Sequence, residues 1–354
     1  MYIVTNREIY DRRDGFRKFG KQPSAKGPNE LRLVEITGSR ANPKLNVIAD
    51  KLTSDQKKKL GVPKDEEAFA SQLIARSVFN RLQKSGKNLL LFVHGFNNDV
   101  ESVVNRSLRL EEQYGVEVLP FSWPANGGGA RGVLSYKSDK KDSSASVGAL
   151  DRVLDKVGGY LRALREEAAR RVRESATKRF DANAESRDEF IAKALEQQCS
   201  VRVSLLLHSM GNYLFKQLMK SSIYSGEELI FDNVVMASAD ANNENHREWV
   251  DRIQFRNRLY ITINENDSAL KLSRAKLGSA QKARLGHFPY QLDSARAVYV
   301  NFTDAKFVGD SHAYFEGTAM RNAAVKSFFK QALNGNVAEK GLAFDVATNL
   351  HTLS

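Results

Sequence analysis

The sequence predicts an α/β protein built on a mostly parallel, doubly wound sheet, and three observations carry that prediction. Strand-like apolar runs recur at 88–93, 201–207, 228–238, 257–263 and 297–302, and the first is continuous, as in a parallel strand buried on both faces. Segments of helical periodicity lie between them, and strand, helix and strand in alternation imply right-handed crossovers and parallel pairing. Polar residues gather just after the runs, on the carboxyl side of such a sheet, where open α/β folds place their sites.

Taken in order, residues 2–5 and 31–37 read as strands joined by a basic connection, 11–29, that contains Gly and Pro. Residues 1–60 are therefore expected to form an antiparallel strand pair leading into the main sheet. Residues 65–84 have acids in the first turn and Phe69, Leu73, Ile74, Phe79 and Leu82 at helical spacing, closed by Ser85 and Gly86. A helix is expected over 100–114 and a strand over 116–123, stopped by Pro124. Residues 125–146, rich in Gly, Ser and Lys, read as a loop over a pocket. Glycines 127–129 and Gly132 match G-x-G-x-x-G by letter, but no helix is expected to open at the last glycine, so a dinucleotide is not expected. Residues 147–198 are helical and crowded with arginines, and they exceed what one crossover helix needs. A 61–335 domain with a charged helical insertion at about 150–195 is the expected organisation, with a closing helix at 319–333 and a C-terminal tail at 336–354. The insertion could be a lid, a basic face for an anionic surface, or a solvated hairpin.

The 354 residues are 42% hydrophobic and 27% charged, ordinary for a soluble globular chain. No run approaches the roughly 18 apolar residues of a membrane span, and the first residues carry no basic-then-apolar leader. One cysteine, Cys199, excludes an internal disulfide and reads as a small packing residue, so a cytoplasmic setting is expected. The net charge of +12 would attract an anionic membrane surface, a phosphate-bearing substrate or nucleic acid. A solvated basic surface is the simpler reading, and nucleic acid is not expected. No H-E-x-x-H or paired-cysteine spacing supports a metal site.

The chemistry is expected where the apolar strand before Ser209 runs into a tight turn and an amphipathic helix. A serine on such a turn exposes its hydroxyl, and the N–H of Met210 at the helix start points where an oxyanion would form. Gly211 leaves room where strand and helix approach. The usual G-x-S-x-G elbow has a glycine where this chain has Leu207, and S-x-G alone is more often an ordinary strand–helix turn. His312, on a late loop, would be the base. Asp240 and Asp267 both follow strands and could serve as the acid. Asp267 is preferred because it follows the later strand, its simpler alternative being a helix N-cap. His94 and His208 sit beside backbone donor positions and are expected to orient loops, while His246 and His287 read as structural or surface residues.

Five motifs in register resemble those of α/β-hydrolase-fold serine hydrolases, and more narrowly a bacterial branch of largely uncharacterised hydrolases. They are Val93-His94-Gly95-Phe96-Asn97, Phe121-Ser122-Trp123-Pro124, His208-Ser209-Met210-Gly211-Asn212, Asn266-Asp267-Ser268-Ala269-Leu270 and His312-Ala313-Tyr314-Phe315, spread over roughly 85–320. The resemblance implies the α/β-hydrolase fold and a triad of Ser209, His312 and Asp267. It further implies an oxyanion hole at Phe96 and Met210, with His94, Asn97, His208 and Asp240 lining the site. Its reaction would be transfer of an acyl group from a carboxylester or lipid ester to water without a cofactor. The charged insertion departs from the compact pattern of that branch and bears on substrate size and access. A different class of function is an inert hydrolase-fold module that docks an anionic membrane or nucleic acid through the insertion.

Overall fold

The computed structural model describes every residue except 40–41, 61, 66, 126–131, 181–182, 199–200, 225, 227–228, 275–282 and 354. Cys199 and the glycines 127–129 lie outside the described residues. The strands are β1 (Tyr2–Thr5), β2 (Arg7–Ile9), β3 (Phe19–Pro23), β4 (Arg32–Ser39), β5 (Asn42–Val47), β6 (Leu89–Val93), β7 (Glu117–Ser122), β8 (Val203–His208), β9 (Phe231–Ala237), β10 (Phe255–Ile263), β11 (Ala297–Asn301), β12 (Ala343–Asp345) and β13 (Leu350–Thr352). The helices are α1 (Ser54–Leu60), α2 (Ala70–Ser85), α3 (Val100–Tyr114), α4 (Gly132–Ala145), α5 (Val147–Arg179), α6 (Ala184–Gln198), α7 (Met210–Lys220), α8 (Arg247–Val250), α9 (Ser268–Arg274) and α10 (Ala323–Leu333).

Eleven strands form one sheet in the order β12-β13-β11-β10-β9-β8-β6-β7-β1-β4-β5, while β2 and β3 make a separate ribbon. Pairing is parallel from β11 through β10, β9, β8, β6 and β7 to β1. The alternation of side chains explains the apolar runs. Leu89, Leu91 and Val93 pack on one face with residues of α2, α5 and α7, while Leu90 and Phe92 pack on the other with residues of α3 and α10. Helices therefore cover both faces, as in the α/β-hydrolase fold. The chain reverses direction across the sheet between β6 and β8, a switch point at which α/β folds open a crevice beyond the strand ends. The turn at Ser209 follows β8 at that crevice.

The ends of the chain extend this sheet. β1 pairs antiparallel with β4, Ile3 opposite Val34, and also continues the parallel array, Val4 opposite Phe121. The residues read as a tail form β12 and β13, of which β13 runs parallel to β11.

Three expectations need correction. Residues 132–145 of the supposed loop are helix α4, whose inward face of Tyr136, Asp139 and Ser143 is too polar to register as an amphipathic pattern. Helix α2 starts at Ala70 rather than 65, because the side chain of Gln72 reaches back to the N–H of Phe69 and sets the first turn there. The long helix α5 is not wholly an appendage, since Leu150, Val153, Leu154 and Leu161 in its first half belong to the main core. Its distal half lies against α6 and satisfies part of its own charge through Arg171–Glu167 and Arg170–Glu174 pairs.

Arg7 ties the N-terminal strands to the loops that frame the crevice. It is 2% exposed, and its guanidinium donates to Ser122 Oγ at 3.1 Å, to the carbonyls of Gly20 and Ala125 at 3.2 and 3.1 Å, and to that of Asn98 at 2.7 Å. Burial pushes its pKa down to about 10, still well above neutrality, so the group stays charged. Arg7→Met is expected to strand two buried carbonyls and a third that is part-buried, and to lower stability by about 3 kcal/mol, measured by urea unfolding.

Candidate active site

Ser209 stands between β8 and α7 with φ 55° and ψ −123°, a backbone conformation that non-glycine residues adopt only where the surroundings impose it. The surroundings are specific. The Ser209 N–H donates to the carbonyl of Ala237 at 3.1 Å, and the Asp240 N–H donates to that of Ser209 at 3.2 Å. The buried amide of Asn212 reaches the carbonyls of Leu207, Ser209 and Ala237 at 3.1, 3.2 and 3.3 Å. This anchoring role escaped the sequence reading, although Asn212 closes the very motif that carries Ser209.

Two glycines make the turn possible. A Cβ on Gly211 would sit 2.6 Å from the carbonyl oxygen of Val93 and 2.9 Å from that of His94. A Cβ on Gly95 would sit 2.6 Å from the Cβ of Ser209 and 3.1 Å from its Oγ. The end of β6 thus packs directly against the serine turn. Leu207 stands where a glycine is usual and is itself a fully buried core residue. Met210 opens α7, so its N–H has no partner one turn back and carries the partial positive charge of a helix start.

His312 comes to this turn on the loop after β11. Its Nδ1–H donates to both carboxylate oxygens of the fully buried Asp267, at 2.9 and 2.8 Å. That leaves Nε2 as the lone-pair nitrogen, and Nε2 makes no hydrogen bond among the described residues, including one to Ser209 Oγ. Asp267 also caps α9, accepting the N–H groups of Ala269 and Leu270 on Oδ1 at 3.0 Å each. Capping and contact with His312 are therefore both made by one carboxylate. Asn264 holds the two loops together by donating to the carbonyls of Gly309 and Ser311 at 3.0 and 3.2 Å.

His208 and His94 are buried and neutral. The Nε2–H of His208 donates to the carbonyl of His312 at 3.0 Å, and the two rings lie 4.9 Å apart. Ser238, with φ 45°, donates its hydroxyl to the same carbonyl at 2.8 Å. Burial holds the His208 pKa well below the ordinary histidine value, with His312 and Arg106 adding to the effect. His94 donates Nδ1–H to the carbonyl of Gly95 at 2.7 Å and stacks on Trp123, whose indole N–H donates to the carbonyl of His94 at 2.8 Å. Desolvation brings the His94 pKa down to about 3.

Asp240 lies elsewhere in the crevice and is engaged by other groups. Arg284 Nε meets its Oδ1 at 3.0 Å, Ser273 donates to the same oxygen at 2.8 Å, and Tyr136 donates to Oδ2 at 2.9 Å. The Tyr136 ring also packs edge-on against Phe96, 5.7 Å between centroids. The N–H of Asn97, with φ 56°, donates to Asp139 of α4 at 3.1 Å. Tyr136, Asp139, Ser273 and Arg284 had no signal in the sequence. His246 is internal, bonded to the carbonyl of Asn243 at 2.8 Å and to the hydroxyl of Tyr299 at 2.5 Å, and His287 is buried too. Among the described residues no group of three His, Cys, Asp or Glu side chains could hold a metal ion.

A family model described as alpha/beta hydrolase of unknown function (DUF900) matches residues 71–161 and 173–324, well over half of the chain. The chain belongs to this family. The gap between the matched stretches, 162–172, falls inside α5, so this member departs from the DUF900 pattern midway along that helix. No curated protein and no solved structure matches the chain.

Two outcomes follow for stability. Gly211→Ala is expected to cost about 2–3 kcal/mol, because the obstructing atoms are backbone carbonyls of β6 and its loop; thermal unfolding measures it. Between pH 6.5 and about 3 the unfolded chain takes up a proton at His94 that the folded chain refuses. The contribution of His94 to stability therefore falls as pH is lowered through that window, by about 1.4 kcal/mol per unit, and changes no further below it. His94→Asn should reduce the slope of unfolding free energy between pH 6 and 4 by about one proton.

Proposed function

We propose that the chain is a serine hydrolase that cleaves a carboxylester or lipid ester through an acyl-enzyme. The observation that carries this reading is His312, its Nδ1–H on the buried Asp267 carboxylate, its Nε2 unengaged and its carbonyl bound by His208, the residue before Ser209. A serine hydroxyl is a weak nucleophile until a base takes its proton, and a neutral imidazole of this tautomer is suited to do so. In the proposed reaction Ser209 Oγ attacks the ester carbonyl while His312 Nε2 accepts its proton. Asp267 stabilises the imidazolium. The N–H groups of Met210 and Phe96 bind the oxyanion, each such donor contributing on the order of 3 kcal/mol. Collapse breaks the ester C–O bond, and His312 returns the proton to the departing alcohol. Water, deprotonated by His312, then releases the acid and restores Ser209. The Ser209–His312 hydrogen bond absent at rest forms as substrate binds, a tightening common to such sites.

His94 and His208 act in this scheme by orienting backbone, and Asn97 and Asp240 by shaping the crevice.

The test uses a fluorophosphonate probe and a chain-length series of nitrophenyl esters. The wild type is expected to label and turn over, and Ser209→Ala to do neither. Asp267→Asn should keep the fold and lose on the order of 10⁴-fold in kcat/KM. A folded wild type that neither labels nor hydrolyses any ester would overturn the proposal in favour of an inert module.

A further inference from the structure

A cavity of about 250 Å³ lies between α2 and α5 on the sheet face they share. It borders Leu89 and Leu119, near the amino ends of β6 and β7, whereas the Ser209 turn follows the carboxyl end of β8. Ile74 and Val78 from α2 and Leu161 and Leu164 from α5 form its walls. An apolar cavity of about 150 Å³ stays dry and admits a benzene ring, so this one has room for a longer hydrocarbon.

The charges at its rim are unevenly matched. Glu30 and Asp50 pair with Arg32, and Glu117 pairs with Arg81. Arg152 and Lys156, one turn apart on α5, make no ion pair among the described residues. Arg152 donates to the carbonyl of Asn29 at 2.7 Å, and Lys156 Nζ lies 5.1 Å over the ring of Phe69. Apolar walls beneath two unmatched cations suit a molecule with a hydrocarbon tail and an anionic head, and a guanidinium can grip a carboxylate through two hydrogen bonds.

We propose that this cavity binds a single-chain fatty acid, tail inward among Ile74, Val78 and Leu161, with its carboxylate at Arg152 and Lys156. The site is independent of Ser209 and performs no chemistry.

Calorimetric titration of the full chain with monomeric decanoate, decanol and phosphatidylglycerol vesicles tests it. Saturable one-site binding of decanoate is expected, about tenfold tighter than decanol. Val78→Trp, which fills the cavity, should abolish both. The double variant Arg152→Gln/Lys156→Gln, altered only at the rim, should weaken decanoate about tenfold and leave decanol unchanged. Ser209→Ala should bind as the wild type does, so a failed hydrolase reading leaves this result intact. The proposal is overturned if decanoate does not saturate, if only vesicles bind, if the rim variant binds decanoate normally, or if binding is lost in Ser209→Ala.

Discussion

The contact between the end of β6 and the β8–α7 turn leaves no space for a side-chain carbon at 95 or 211, and the rest of the crevice depends on it. With Val93 opposite Leu207 in the sheet, the backbone after β6 crosses directly over Ser209. The serine is held at its positive φ because its own N–H is bound to Ala237 and its carbonyl to the N–H of Asp240 and the side chain of Asn212. Strain at one residue persists when several hydrogen bonds and a tight steric contact over-determine it. Trp123 extends the same constraint to the next strand by holding the His94 carbonyl and covering its ring.

Around this turn the histidines divide by partner. His94 and His208 each spend their single N–H on a main-chain carbonyl, and burial keeps both uncharged. Only His312 has a carboxylate on its N–H side. A charged ring at His208, 4.9 Å from His312, would oppose a second imidazolium. Its neutrality, set by packing against His312 and Phe315, removes that opposition. The buried polar groups thus separate two rings bound to main-chain carbonyls from one ring bound to a carboxylate.

What could be read along the chain and what could not follow the range of the forces involved. The strands on either side of the crevice were legible because residues buried on both faces of a parallel sheet must be apolar in succession. Helix α4 was not, because its inner face is built of Tyr136 and Asp139, whose burial is offset by hydrogen bonds to Asp240 and to the N–H of Asn97. A polar inner face has no hydrophobic period. Arg7 was equally silent, since an arginine near the chain start reads as surface until the carbonyls of three separate segments close around it.

By itself the sequence determined the alternation of strands and helices, the order of serine, acid and histidine, and a turn at Ser209 that needs glycine at 211. These are local properties, set by side-chain burial and backbone freedom within a few residues. The sequence favoured Asp267 over Asp240, and tertiary structure supplied the contacts that bring it to His312. Asp240 and Asp267 both follow strands, but Arg284 and Tyr136 converge on Asp240 while Asn264 draws the His312 loop onto Asp267. It also decided that α5 contributes its first half to the core and encloses an apolar cavity with α2. Such pairings join residues far apart in the chain, and no local pattern encodes them, because their energy exists only once the sheet has brought the segments together.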